Sequence, residues 1–161
     1  MQMFLAMVML LVLPHLGRTR VVHTRQTRLG AWSLRVRTDT FASDVSCRLF
    51  RRHIDYLRGV VVFHLPRRAN TFGAVYRIDG GPPRAASADA PDLAKMGFSI
   101  YADDLANPSG GLVRIPEGRL ASASNVAIEV KGVVTKFNIS GLGPALQAAN
   151  KAGCGSEAFD R

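Results

Sequence analysis

The segment Val126-Ala127-Ile128-Glu129-Val130-Lys131-Gly132-Val133-Val134-Thr135-Lys136-Phe137-Asn138-Ile139 decides the fold class. Val126, Ile128 and Val130 alternate with Ala127 and Glu129. After Lys131-Gly132 the alternation resumes, with Val133, Thr135, Phe137 and Ile139 set against Val134, Lys136 and Asn138. Successive side chains of a strand point to opposite faces, so each arm carries one face for a core and one for water. Two such arms joined by two residues, the second of them Gly, predict a β-hairpin, because a tight hairpin turn requires positive φ.

The same habit runs upstream. Trp32, Leu34 and Val36 alternate with Ser33, Arg35 and Arg37, a half-wet antiparallel strand with its arginines on one face. Val45, Cys47 and Leu49 repeat the pattern, and Gly59 to Leu65, with Val60, Val61, Val62 and Phe63, reads as a central strand. Ala74 to Ile78 is a further strand, closed by Asp79-Gly80-Gly81-Pro82-Pro83, where Gly supplies positive φ and Pro lacks a ladder donor. Arg84 to Pro91 reads as a surface loop. Phe98 to Tyr101 and Leu112 to Ile115 read as short strands around the turn Asn107-Pro108-Ser109-Gly110-Gly111.

Downstream of the hairpin, Ser140 is placed to cap a helix over Gly141 to Lys151. Leu142, Ala145, Leu146 and Ala149 share one face of it, and Gly153 stops it. With no alternation of strands and helices, the expected fold is mainly β. It is an antiparallel β-sandwich or twisted sheet of about seven or eight short strands with one C-terminal helix.

The chain has 161 residues, 47% hydrophobic and 20% charged, which suits one globular domain and excludes wholesale disorder, a collagen-like repeat and a multi-spanning membrane protein. Its net charge of +9 is unevenly placed. Residues 1 to 70 hold 12 Arg against three Asp, whereas the remainder is balanced. Such a basic half favours an anionic neighbour: a lipid surface, an acidic protein or nucleic acid.

Met3 to Leu13 is an apolar run of 11 residues, too short to span a bilayer as a helix and of the length of a signal-peptide centre. No basic residue precedes it. The nearest small-x-small site, Leu29-Gly30-Ala31, lies well beyond it, so an uncleaved interfacial anchor fits the same residues. The expected organisation is a leader or anchor with basic linker over 1–30, one β-rich domain over 31–154 and a flexible tail over 155–161. In an exported chain, Cys47 and Cys154 would pair and close a loop of about 108 residues, worth roughly 4 to 5 kcal/mol in the loop-entropy model. In a cytosolic chain they would be two buried thiols.

The binding candidates are Arg48, Arg51, Arg52 and Arg58, joined by Arg67 and Arg68, because guanidinium forks suit carboxylates and phosphates. A solvated strand edge is the plain alternative. Nucleic acid is disfavoured, since only Phe50 and Tyr56 interleave with these arginines. His53 and Asp55, two apart, would share a strand face, with His64 as a third member of an oriented base or metal site. A polar strand end is the simpler account. His15 and His23 fall in or near the leader. Asp103-Asp104, with Asp79 and Glu117, reads as turn and loop chemistry. No catalytic residue, metal site or cofactor is assigned, and no phosphate loop or nucleophile elbow is present in the sequence.

The Trp-containing opening strand, Asp39-Thr40-Phe41 before Cys47, Tyr76-Arg77-Ile78-Asp79-Gly80-Gly81, and the ending Phe137-Asn138-Ile139-Ser140-Gly141-Leu142 with Ala145-Leu146 and Cys154 resemble small exported bacterial proteins of the invasion-associated locus B group. The ending is also similar to type VI secretion accessory proteins. The resemblance implies a periplasmic or envelope β-rich protein without assigned catalysis, active through protein contacts; with the leader and the basic half, the expected partner is an unknown protein or an anionic membrane surface.

Overall fold

A computed structural model describes residues 21–65, 71–98, 111–120 and 122–159. The apolar run Met3 to Leu13, His15, Arg67, Arg68, Asp103, Asp104 and most of the segment expected as a strand at Phe98 to Tyr101 lie outside the described residues. Phe98 itself is not in a strand.

The strands are β1 (Val22–Leu29), β2 (Trp32–Asp39), β3 (Asp44–Arg51), β4 (Ile54–Leu57), β5 (Val60–His64), β6 (Val75–Ile78), β7 (Arg84–Ala85), β8 (Leu112–Pro116), β9 (Asn125–Val130) and β10 (Val133–Asn138). A short helix α1 (Ala90–Lys95) precedes β8, and helix α2 (Leu142–Lys151) follows β10. One antiparallel sheet has the order β1-β2-β3-β4-β5-β8, the other β10-β9-β6-β7. The expected mainly β fold is therefore present as a sandwich.

Its core lies between the sheets. Trp32, Leu34, Leu49, Ile54, Tyr56, Val61, Phe63, Val113 and Ile115 from the larger sheet meet Tyr76, Val126, Ile128, Val130 and Phe137 from the smaller. The Phe63 and Phe137 rings touch edge to face with centroids 5.0 Å apart, a contact across the two layers. Alternation puts these residues inward, so Ser33, Arg35, Arg37 and their partners on β3 face outward.

The hairpin read from the sequence is β9–β10, with Val130 paired to Val133 and both Lys131 (φ 50) and Gly132 (φ 78) in the left-handed region. Helix α2 ends where Gly153 (φ 86) turns the chain. Its start differs from expectation. Gly141 (φ 80) is the N-cap, and the Ser140 hydroxyl donates to Asn138 Oδ1 at 2.6 Å instead of capping the helix. The Ser140 carbonyl accepts from the indole Nε1 of Trp32 at 3.1 Å, tying the helix entry to β2.

Three boundaries also move. The sheet begins at Val22, inside the segment expected as leader and linker. Strand β1 carries His, Thr, Arg and Gln on an exposed ribbon, and its pairing with β2 along eight residues holds it in place of burial. The region expected as one loop over Arg84 to Pro91 contains β7, a 3-10 turn and the start of α1. The C-terminal tail is part of the fold: Ser156–Phe159 form a 3-10 turn, and Phe159, 2% exposed, meets the Tyr56 ring edge-on at 5.0 Å.

Cys47 and Cys154 form a disulfide, joining β3 to the residue beyond α2 across a sequence separation of 107. Leu93 of α1 packs with Val60 and Val62 on the outer face of the larger sheet, flanked by Leu57, Phe98 and Leu112. The β5–β8 half of that face is thus covered, and the β1–β3 half is open.

Candidate functional site

The open half is built by the register of β2 on β3. Arg35 stands directly opposite Arg48, Arg37 opposite Ser46, and Asp39 opposite Asp44, all on the outward face. From the other side β1 adds Gln26 opposite Arg35 and Thr24 opposite Arg37. Along β2 and β3 lies a groove of about 330 Å³ whose walls are Arg35, Arg37, Asp39, Asp44, Ser46, Cys47 and Arg48.

Phe50 sits between two of the cations. The Arg35 and Arg48 guanidinium carbons lie 5.6 and 5.2 Å from its ring centroid, within cation–π range. Arg35 also donates to Gln26 Oε1, at 3.1 Å through Nη2. Arg48 forks onto Asp55, with Nε at 2.9 Å from Oδ1 and Nη2 at 3.3 Å from Oδ2. Like charges directly opposite across a ladder repel, and here they are held in place by a ring and two hydrogen-bonded neighbours.

Asp55 completes a ladder across three strands, since His64 Nε2 on β5 lies 2.8 Å from its Oδ2. Burial alone would raise this carboxyl, but the hydrogen bonds from His64 and Arg48 outweigh it and hold the group below the ordinary carboxylate range. Arg48 is correspondingly raised, through its bond to Asp55. The carboxylate is acceptor to two donors already, which makes the trio a structural charge ladder rather than a base awaiting a proton.

His53 does not join Asp55. It occupies the β3–β4 turn with φ 57, exposed, and its carbonyl accepts from the His64 amide at 2.8 Å. Among the described residues no three His, Cys, Asp or Glu side chains come together as a metal site.

The described arginines of the group named from sequence, Arg48, Arg51, Arg52 and Arg58, are dispersed by the fold. Arg48 faces outward, whereas Arg51 lies on the opposite side of β3 and donates to Asn138 Oδ1 at 3.0 Å, bracing one sheet against the other. Arg52 is in the turn beside His53. Arg58 sits in the β4–β5 turn with φ 44, its guanidinium 5.3 Å from the Phe98 ring, which Arg114 approaches at 5.4 Å. Desolvation lowers the Arg114 pKa. Arg35 and Arg37, which form the open groove with Arg48, were visible only as the wet half of an alternation. Pairing the Trp32 and Val45 segments through the turn at Phe41 would have found them.

The remaining carboxylates have structural work. Asp89, fully buried, accepts from the Tyr76 hydroxyl at 2.6 Å and from Arg84 Nε at 3.0 Å, with Arg119 Nε 3.4 Å away. Glu117 accepts from the Tyr56 hydroxyl at 2.7 Å. Asp79 accepts from the Ser124 and Asn125 amides, the latter at 2.7 Å.

At the end of the open face nearest Asp39, apolar side chains are exposed. Phe41 is 64% exposed in the β2–β3 turn, and Val21 and Val22 lie alongside, held by the Thr40 amide and hydroxyl donating to the Val21 carbonyl at 3.2 and 2.9 Å. Among the described residues no helix is long and apolar enough to cross a membrane.

Comparison of the chain with protein-family models, with curated proteins and with solved structures finds no match.

Proposed function

We propose that this is a non-enzymatic exported envelope protein that rests against an anionic membrane surface. The observation that carries the reading is one juxtaposition: Phe41, Val21 and Val22 are exposed together at the end of the sheet that bears Arg35, Arg37 and Arg48. The same end is where the chain arrives from the apolar run Met3 to Leu13, with Arg18 and Arg20 between. Apolar side chains at an interface gain by burial below the headgroups while neighbouring guanidiniums meet lipid phosphates, and a short apolar run adds a second attachment. The disulfide supports an oxidising compartment. The committed Asp55–His64 pair and the absence of an assembled nucleophile among the described residues favour contact over catalysis.

The test is co-sedimentation of the full chain with vesicles of phosphatidylglycerol and phosphatidylcholine against phosphatidylcholine alone. Binding to the anionic vesicles is expected, falling as salt is raised, with Phe41→Ser weakening it about tenfold through loss of one buried ring. Equal binding to both vesicle types would reject the anionic requirement, and no binding at low salt or an undiminished Phe41→Ser variant would reject the membrane reading.

A further inference from the structure

We infer that the chain forms a two-fold dimer in which β10 of one copy pairs antiparallel with β10 of the other, joining their smaller sheets into one of eight strands, four from each copy. This is independent of the membrane reading, whose apolar patch and arginines lie on the larger sheet.

The sheet edges differ in how they are guarded. Among the described strands, β1, β8, β7 and β10 end a sheet. Strand β1 carries Arg25 and Arg28, β8 carries Arg114 and closes with Pro116, and β7 is two residues long, all of which discourage a further strand. Strand β10 runs for six residues with one charge, Lys136, and exposes adjacent valines, Val133 at 60% and Val134 at 53%. Neighbouring residues point to opposite faces, so this edge is apolar on both.

The hairpin fixes which backbone groups of β10 point outward. Val130 and Val133 close the two-residue turn as a hydrogen-bonded pair, and at the far end the Ile139 amide donates to the Ser124 carbonyl at 2.8 Å. Odd-numbered residues between them therefore bond to β9, and the Val134 and Lys136 amides and carbonyls point to the open edge. A two-fold axis can use these groups at Val134, Thr135 or Lys136. At Lys136 two ammoniums would stand opposite each other. At Val134 the flanking bonds fall on Gly132, whose φ of 78 lies outside a strand. At Thr135, Val134 meets Lys136 of the second copy as a hydrogen-bonded pair, the two threonines meet at the axis, and the exposed Val133 lies opposite Phe137 of the second copy.

The charges agree with that register. Glu129 stands beside Val134 on the outer face, and neither Glu129 nor Lys136 has an ion pair among the described residues. Across the joint, Lys136 of one copy shares a row with Glu129 of the other, two strand spacings or about 9.6 Å away, a gap their long side chains span over Val134. Symmetry makes two such pairs. An axis relating identical edges closes at two copies.

Sedimentation velocity of the full chain without lipid, over about 1 to 500 μM, should show monomer passing to dimer and no larger species, because one strand pair buries less than a standard interface. Val134→Pro removes an outward amide and no bond to β9, so its urea midpoint should stay near the parent's while dimerisation weakens at least about tenfold, two hydrogen bonds being lost per dimer. Glu129→Lys and Lys136→Glu should each weaken the dimer about fivefold, and the two together should restore it. With oxidised glutathione as electron acceptor, Thr135→Cys should cross-link two copies, since its mate lies directly across the axis. Val133→Cys, about 14 Å from its mate along the strand, should cross-link far more slowly although it is more exposed. A monomer at the highest concentration, assembly that survives Val134→Pro, a charge exchange that restores nothing, or equal cross-linking at both positions would overturn the pairing.

Discussion

The Tyr76 hydroxyl donates to the fully buried Asp89 carboxylate at 2.6 Å, fastening the turn before α1 onto the smaller sheet. Arg84 and Arg119 meet the same carboxylate, so four segments of chain converge on one charge. Removing the carboxylate with Asp89→Ala leaves two cations and a phenol without their acceptor. The expected loss is about 1 to 3 kcal/mol in urea unfolding, the scale of a buried hydroxyl left without its acceptor, because the two guanidiniums are more than a third exposed and remain solvated. A loss below about 0.5 kcal/mol, the range of ordinary surface changes, would show that the cluster is not holding the turn.

Tyr56 and Tyr76 are both raised above the ordinary phenol range, first by burial and then by their carboxylate acceptors. Ultraviolet titration of the native protein should leave both unionised at pH 10, and denaturation should release them. Because the folded state holds these protons longer than the unfolded chain, stability should decline as pH rises above about 10. Ionisation of every tyrosine at pH 10 in the native state would contradict the two hydrogen bonds.

Asp55 is lowered, so the sign is opposite. Its contribution is present above the unfolded carboxylate value of about 3.9 and is lost as pH falls through the lower folded value. Unfolding curves from pH 7 to pH 2 should show Asp55→Asn less stable than the parent at neutral pH and indistinguishable from it at the acid end. A constant gap at every pH would mean that the substitution acts through packing instead.

Reduction of Cys47–Cys154, or the paired substitution Cys47→Ser with Cys154→Ser, should cost about 4 kcal/mol, given the length of the closed loop. Intact mass should rise on reduction by the two hydrogen atoms that one disulfide takes up as it becomes two thiols. In a chain recovered from its host, any shortening at the N-terminus should leave β1 intact, because cutting at Gly30 would strip an eight-residue ladder from the sheet. A chain starting at Ala31 that remains equally stable would refute that role for β1.

Phe159→Ala should destabilise by about 3 kcal/mol, the range for a buried ring lost from a packed site. Urea midpoints measure it. Little change on deleting residues 156–161 would return this segment to the status of a tail.

What the sequence could disclose follows the burial. Where one face is apolar, as in β2, β3 and β9, alternation revealed both the strand and its orientation; in β10 it revealed the strand, but of its apolar row only Phe137 is buried and Val133 is 60% exposed. Strand β1 has no continuous apolar face, only Leu29 at its end packing against the core, so periodicity was silent there and its ladder with β2 defines it. The β3–β4 turn was hidden because His53 takes positive φ without being Gly, whereas Lys131-Gly132 announced itself. The groove was half legible. Arg48 was named, but Arg51, three residues on, falls on the other face, and Arg58 belongs to another turn. Register, set by the turn around Phe41, brings Arg35 and Arg37 beside Arg48.

The bridge from Cys47 to Cys154 makes a covalent ring of the intervening chain. A proteolytic nick anywhere inside that ring leaves both fragments joined in one molecule. Damage there can be repaired by re-docking rather than lost by diffusion, a useful trait wherever proteases are plentiful and resynthesis is distant.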